Sequence, residues 1–177
     1  IAELSLNPDL EYAEPNYYVY AMDMPSDPDF GLQWALHNTG QEINGVFGTP
    51  DADFDAPEVW DFETGSPDIV IAVIDSGIDY NHPDLAANIW QNPGEIPGNL
   101  LDDDGNGFVD DCQAWDFIDD DNDPLDFLVH CTNTAGIIGA VGDNASGLTG
   151  VMWSTSLMNI KMMDGFGVGT TAQAVAA

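Results

Sequence analysis

The chain has 177 residues, 44% of them hydrophobic and 10% aromatic, which suffices for one domain with a real core and rules out a disordered polymer. Its 32 Asp and Glu face a single Lys, for a formal net charge of −31, so nucleic acid and anionic membrane are excluded as partners because both need cationic side chains. The acids can bind divalent cations or form a solvating surface suited to high salt, where screening suppresses self-repulsion; with eleven in residues 101–126 and 21 elsewhere, both uses are expected.

Residues 1–21, "IAELSLNPDLEYAEPNYYVYA", alternate loosely and are rich in Tyr, as a strand would be. "MDMPSDPDFGLQW" then places prolines among acids and reads as an exposed entry into a domain. In "DAPEVWDF", Pro57 suits the first turn of a short helix and Asp55 its cap. "DIVIAVID" (68–75) is a continuous apolar strand of the kind buried on both faces in parallel sheets. "QNPGEIPGNLLDDDGNG" is turn-rich loop, and "TAGIIGAV" (134–141) is a small-residue helix. "SLMNIKMMD" (156–164) is a second interior strand, followed by "GFGVG" and a helix over "TTAQAVAA". This order predicts a three-layer α/β fold with a mostly parallel sheet. No apolar run approaches the ~20 residues that cross a membrane. Beginning on Ile1 and ending inside a helical pattern, the chain reads as an interior piece of a longer precursor. Cys112 and Cys131 are too few to define a disulfide framework, and free thiols are expected.

The chemistry-bearing motif is "DSGIDYNHPDL" (75–85), which sets a carboxylate where the apolar strand stops. An aspartic-protease dyad needs two such Asp-Ser/Thr-Gly turns on an all-β scaffold, and only one is present here. The other use of Asp75 is to orient a histidine for a serine nucleophile. His37 in "LHNTG" and His82 in "NHPDL" sit in turns, where structural roles are expected. His130 precedes the small-residue helix, and an Asp…His order matches one of the known chain orders of the Ser-His-Asp triad.

Three ordered blocks, "VIAVIDSGIDYNHPDL", "VHCTNTAGIIGAVGDNASGLTGV" and "NIKMMDGFGVGT", resemble the aspartate, histidine and substrate-strand blocks of subtilisin-like serine proteases. "NPDLEYAEPNYYVYA" is similar to the end of the inhibitory propeptide of secreted members, and "DPDFGLQWALHNTGQ" to the start of their mature enzyme. The resemblance implies a secreted serine endopeptidase acting on proteins or peptides. Residues 1–21 would be the end of its propeptide, itself a partner, and 22–177 the N-terminal part of the peptidase domain. Asp75 would hold the imidazole of His130, and His130 would serve as general base and acid. The main chain of Gly167, Val168 and Gly169 would pair with substrate as an added strand. The family's serine and its oxyanion-binding asparagine would lie beyond residue 177, leaving this piece inactive. The histidine block departs from the family's His-Gly-Thr-His-Val: Cys131 stands for the glycine, Asn133 for the second histidine and Thr134 for the valine. The alternative is therefore a catalytically degenerate, calcium-binding scaffold.

"DDDGNGFVDD" fits the first half of a Ca²⁺ loop, with Asp102, Asp104 and Asn106 at alternate positions, Gly107 for the turn and Phe108 offering its carbonyl. The twelfth position is Gln113, so Asp110 or Asp111 closes the site, Asp111 being the one assigned here. Asp116, Asp119, Asp121 and Asp123 resemble a Ca²⁺ site of thermostable family members. Asp27, Asp84 and Asn144, with carbonyls of Val141, Ser146 and Leu148, resemble the family's tight site. Carboxylates this dense, with no cationic partners in sequence, repel one another unless a divalent ion sits between them.

Overall fold

The computed structural model describes residues 24–177. The propeptide-like stretch 1–21 lies outside the described residues. After a 3₁₀ turn at Phe30–Leu32, strands β1 (Glu42–Ile43) and β2 (Val46–Phe47) form an antiparallel hairpin. Its two-residue turn is Asn44-Gly45, with φ of 52° and 82°, the pair of positive angles that lets such a turn match strand twist. Helix α1 (Ala56–Trp60) has Pro57 in its first turn as expected. Asp55 does not cap it with its side chain, however. Its backbone is left-handed, with φ 53°, and its N–H is held by Asp53 Oδ1 at 2.8 Å.

β3 (Gly65–Asp75) runs parallel to β4 (Ser154–Lys161), in register from Val70 opposite Ser156 to Asp75 opposite Lys161. The connection between them contains helix α2 (His130–Gly139), and α3 (Thr171–Ala176) follows β4 behind a capping box at Thr170. The architecture is α/β. α2 lies close on the sheet: a Cβ at Gly139 would stand 2.6 Å from Thr155 Cγ2, so glycine sets the approach distance. Val73, Ile78, Leu85, Ile89, Cys131, Ala135, Ala140 and Leu157 make the core between them. A satellite cluster of Phe30, Leu36, Ala56 and Trp60, with Trp153 against it, anchors the N-terminal segment.

The apolar run of β3 is not buried on both faces as expected. Ile71 and Val73 pack on the core, whereas Val70, Ala72 and Ile74, pointing the other way by strand alternation, are exposed. At the β4 end the chain's only cation is buried. Lys161 Nζ meets Asp116 Oδ2 at 2.6 Å and lies 5.2 Å from the centre of the Phe127 ring.

Candidate active site

Asp75 is the last residue of β3, and His130 the first of α2. β4 clamps the strand end, since the Asp75 carbonyl accepts the N–H groups of Met162 (2.8 Å) and Met163 (3.1 Å). The Asp75 carboxylate accepts the N–H of Ser76 at 2.7 Å and faces His130 Nδ1 at 2.8 Å from Oδ2 and 3.0 Å from Oδ1. Its side chain is 14% exposed against 65% for His130, so the carboxylate sits at the floor and the ring leans out over it. A carboxylate on Nδ1 fixes that nitrogen as the N–H, which leaves Nε2 as the acceptor. Among the described residues nothing else hydrogen-bonds the ring.

The start of α2 lacks a side-chain cap of its own, and Val129 before it is left-handed with φ 67°. Its free N–H groups go outward instead. Cys131 N–H donates to Ser76 Oγ at 3.3 Å, and Thr132 N–H to Asp126 Oδ2 at 3.0 Å. Burial raises the pKa of Asp126, yet hydrogen bonds from Thr132, Leu128 and Ser76 outweigh it and hold the carboxyl below its ordinary 3.8.

Cys131, which replaces a glycine of the resembled pattern, is 0% exposed and belongs to the core rather than the cleft. Burial, then the charges of Asp75 and Asp126, push its thiol up to about 12, so it is inert at neutral pH. Cys112 is also a free thiol. His82 Nδ1 accepts the Asp84 N–H at 3.2 Å, and His37 stacks on Phe30 with ring centres 6.3 Å apart; both have structural roles.

Gly167, Val168 and Gly169 form a turn after β4. Gly167 has φ 75°, and a Cβ at Gly169 would strike the Met162 carbonyl oxygen, so both glycines are required where they stand. Val168 differs from expectation: its N–H goes to Asp164 Oδ1 and its carbonyl accepts the Asp164 N–H, each at 3.0 Å. Its main chain is used internally. The Gly167 carbonyl and the Gly169 main chain have no internal partner among the described residues.

The acidic loop folds on its own carboxylates. Asp102 takes the N–H groups of Gly105, Asn106 and Gly107, and Asp104 takes that of Asn106. Phe108 packs its ring on Trp115 and Phe117. Asp110 is committed to Gly98, Asn99 and Leu100 N–H groups, which leaves Asp111 to close the loop. A residue the spacing did not reveal joins them. Glu95 places a carboxylate oxygen within 4.8 Å of oxygens of Asp104 and Asp111. It is 8% exposed; Oε1 accepts the N–H groups of Asp103 and Asp104, whereas Oε2 is buried with no hydrogen-bond partner.

The second acidic cluster is not assembled. Asp116 turns inward to Lys161 and accepts the N–H groups of Ile118 and Asp119, because the buried ammonium needs a counter-ion. Asp119, Asp121 and Asp123 are exposed, and Asp123 accepts the Tyr80 hydroxyl at 2.7 Å. The third set is gathered round the 141–148 loop. Asp84 accepts Asn144 Nδ2 at 2.8 Å and Leu148 N–H at 3.0 Å, and its carbonyl accepts Val141 N–H. Asn144 Oδ1 accepts Ser146 N–H, and a Cβ on Gly147 would run into the Asp84 carboxylate. Asp27 is buried with Oδ2 on Asp143 N–H and Oδ1 unpartnered.

The sequence model of the subtilase family matches residues 66–177. The chain is 32% identical over 171 residues to the thermophilic serine proteinase of Bacillus sp. (strain AK1), covering 96% of this chain and 33% of that one. It is 48% identical over 95 residues to subtilisin-like protease 1 of Plasmodium vivax, covering 53% of this chain and 15% of that one. Among solved structures, the serine protease of Aeromonas sobria, crystallised with the chaperone ORF2, superposes with a TM-score of 0.61 at 25% identity over 86% of this chain and 23% of that one. The chain thus spans a third or less of the length of these relatives.

Proposed function

The chain belongs to the subtilase family, and on that premise we propose that it is the N-terminal part of a secreted, calcium-stabilised serine endopeptidase. The observation that carries this is the hydrogen bond of His130 Nδ1 with Asp75, 2.8 Å to Oδ2, formed where a buried strand meets a helix start. With Nδ1–H held there, Nε2 takes the proton of a serine supplied by sequence outside these residues. Asp75 stabilises the imidazolium as the tetrahedral intermediate forms, and the same proton passes to the leaving amine. A protein or peptide substrate adds as a strand along the Gly167 carbonyl and the Gly169 main chain, which have no internal hydrogen-bond partner among the described residues. Residues 1–21 are the end of an inhibitory propeptide, and 22–177 the start of the peptidase domain.

The degenerate-scaffold alternative rested on the altered histidine block. The Cys131 side chain is in the core and the Asp75–His130 bond is made, so the enzymatic reading is preferred. Calcium fits two donor sets. Glu95, Asp104 and Asp111, with the Asn106 side chain beside Asp104 and Asp111, offer a buried bare oxygen at Glu95; Asp27 of the third set offers another. All are hard oxygen ligands suited to Ca²⁺, which would hold these loops in their folded arrangement. In the full-length protease, His130→Ala is expected to lower peptide-amide turnover by about 10⁶. Normal turnover in that variant overturns the assignment.

A further inference from the structure

Asp75 and His130 belong to different elements and are 55 residues apart, and one of the two side chains is mostly exposed. A hydrogen bond in that setting does not hold a strand end and a helix start together by itself, because solvent competes for both partners. Something must set the distance between the elements, and the side chain that bridges them is Asp126.

Both oxygens of Asp126 are filled. Oδ1 accepts Ser76 Oγ–H at 3.1 Å and Leu128 N–H at 2.8 Å; Oδ2 accepts Thr132 Oγ1–H at 2.7 Å and Thr132 N–H at 3.0 Å. Ser76 directly follows Asp75, and Thr132 is two residues past His130. The two flanking hydroxyls extend the bridge. Ser76 Oγ accepts Cys131 N–H at 3.3 Å, and Thr132 Oγ1 accepts Asp79 N–H at 2.9 Å. The loop after β3 and the first turn of α2 are thus knitted through one carboxylate. Its charge also favours the helix N-terminus, where the N–H groups point outward.

Resting on the proposed endopeptidase reading, we propose that Asp126 is a positioning residue. Through Ser76 and Thr132 it holds His130 over Asp75 in the geometry that proton transfer needs, without touching substrate. Asn cannot replace it, because one of its two ends would present N–H to donors that require an acceptor.

The test uses the full-length protease in saturating calcium, with His130→Ala as a reference. Asp126→Ala is expected to lower kcat by about 10- to 100-fold with KM little changed, as a misplaced catalytic group does. The downfield proton resonance of the His130 Nδ1–H···Asp75 bond is expected to broaden or vanish in the same variant. Thr132→Val, which keeps the shape and removes one donor, shows a smaller loss of the same kind, and Thr132→Ser restores turnover; this pair decides the matter if Asp126→Ala does not fold. Wild-type kcat in Asp126→Ala, or equal turnover in the Val and Ser variants, overturns the inference. So does a fall in stability with the Nδ1 proton resonance intact, which would make Asp126 a plain fold-stabilising residue. If His130→Ala itself keeps activity, the endopeptidase reading fails; if it is dead while Asp126→Ala is normal, only the positioning role fails.

Discussion

The Asp75–His130 corner and the acidic loop are both built on carboxylates in a chain with one cation, and they differ in what reaches the oxygens. At the corner, Asp75 and Asp126 have both oxygens filled by the imidazole, hydroxyls and N–H groups. In the loop, Glu95 Oε2 is buried bare, beside Asp104 and Asp111. A saturated carboxylate orients its donors. An unsaturated buried one carries a desolvation penalty that a cation would remove. Asp116 sits between these cases, saturated by the single lysine. The number of acids in a stretch therefore says less about metal binding than the donors already spent on them.

The largest stability effect is expected where a saturated carboxylate is made bare. Lys161→Met leaves Asp116 buried without its counter-ion and should destabilise the full-length protein by about 3–5 kcal/mol in denaturant unfolding. Adding Asp116→Leu should recover most of that loss. A neutral Lys161→Met would break the contrast between the two kinds of carboxylate.

The loop gives the next effect. At constant ionic strength in high sodium chloride, calcium at a hundredfold excess over its Kd should stabilise the full-length protein by about 2.7 kcal/mol. Glu95→Gln and Asp104→Ala should each diminish the rise in melting midpoint. A midpoint that follows ionic strength and ignores calcium would leave the acids as a solvating surface alone.

The smallest effect concerns pH. The Asp126 carboxyl is held below 3.8 in the folded protein, so its stabilisation is present above the unfolded value and is lost as pH falls through the folded one. The difference in stability between wild type and Asp126→Ala should be full above the ordinary carboxylate value of 3.8 and shrink as pH falls below it. A difference that does not change with acid would mean that the charge is not what matters there.

The pairing of Asp75 with His130 was legible in the sequence because each sits in a local pattern, a carboxylate ending an apolar run and a histidine opening a small-residue helix. Glu95 was not, because it enters the loop through a fold of "NPGEIPGN" and not at a spacing measured from Asp102. Asp116 is placed in a metal cluster by resemblance to a Ca²⁺ site of thermostable family members, whereas its partner here, Lys161, is far along the chain at the end of β4. The β3–β4 parallel pair followed from two apolar runs around a helix. An apolar run alone could not tell that Val70 and Ile74 are exposed, since burial depends on what packs against each face. The β1–β2 hairpin is signalled in the sequence by Asn-Gly at 44–45 alone, because its two-residue strands are too short to show an alternating pattern.

The most direct test of the account is turnover of the full-length protease carrying Asp75→Asn, measured in saturating calcium beside its melting midpoint. Asn keeps the shape of the side chain but accepts from Nδ1–H less reliably and favours the wrong imidazole tautomer. The account predicts a fall of about 10⁴ in kcat with the midpoint little changed. Turnover within about tenfold of wild type would contradict it, because then Asp75 would not be the group that orients His130.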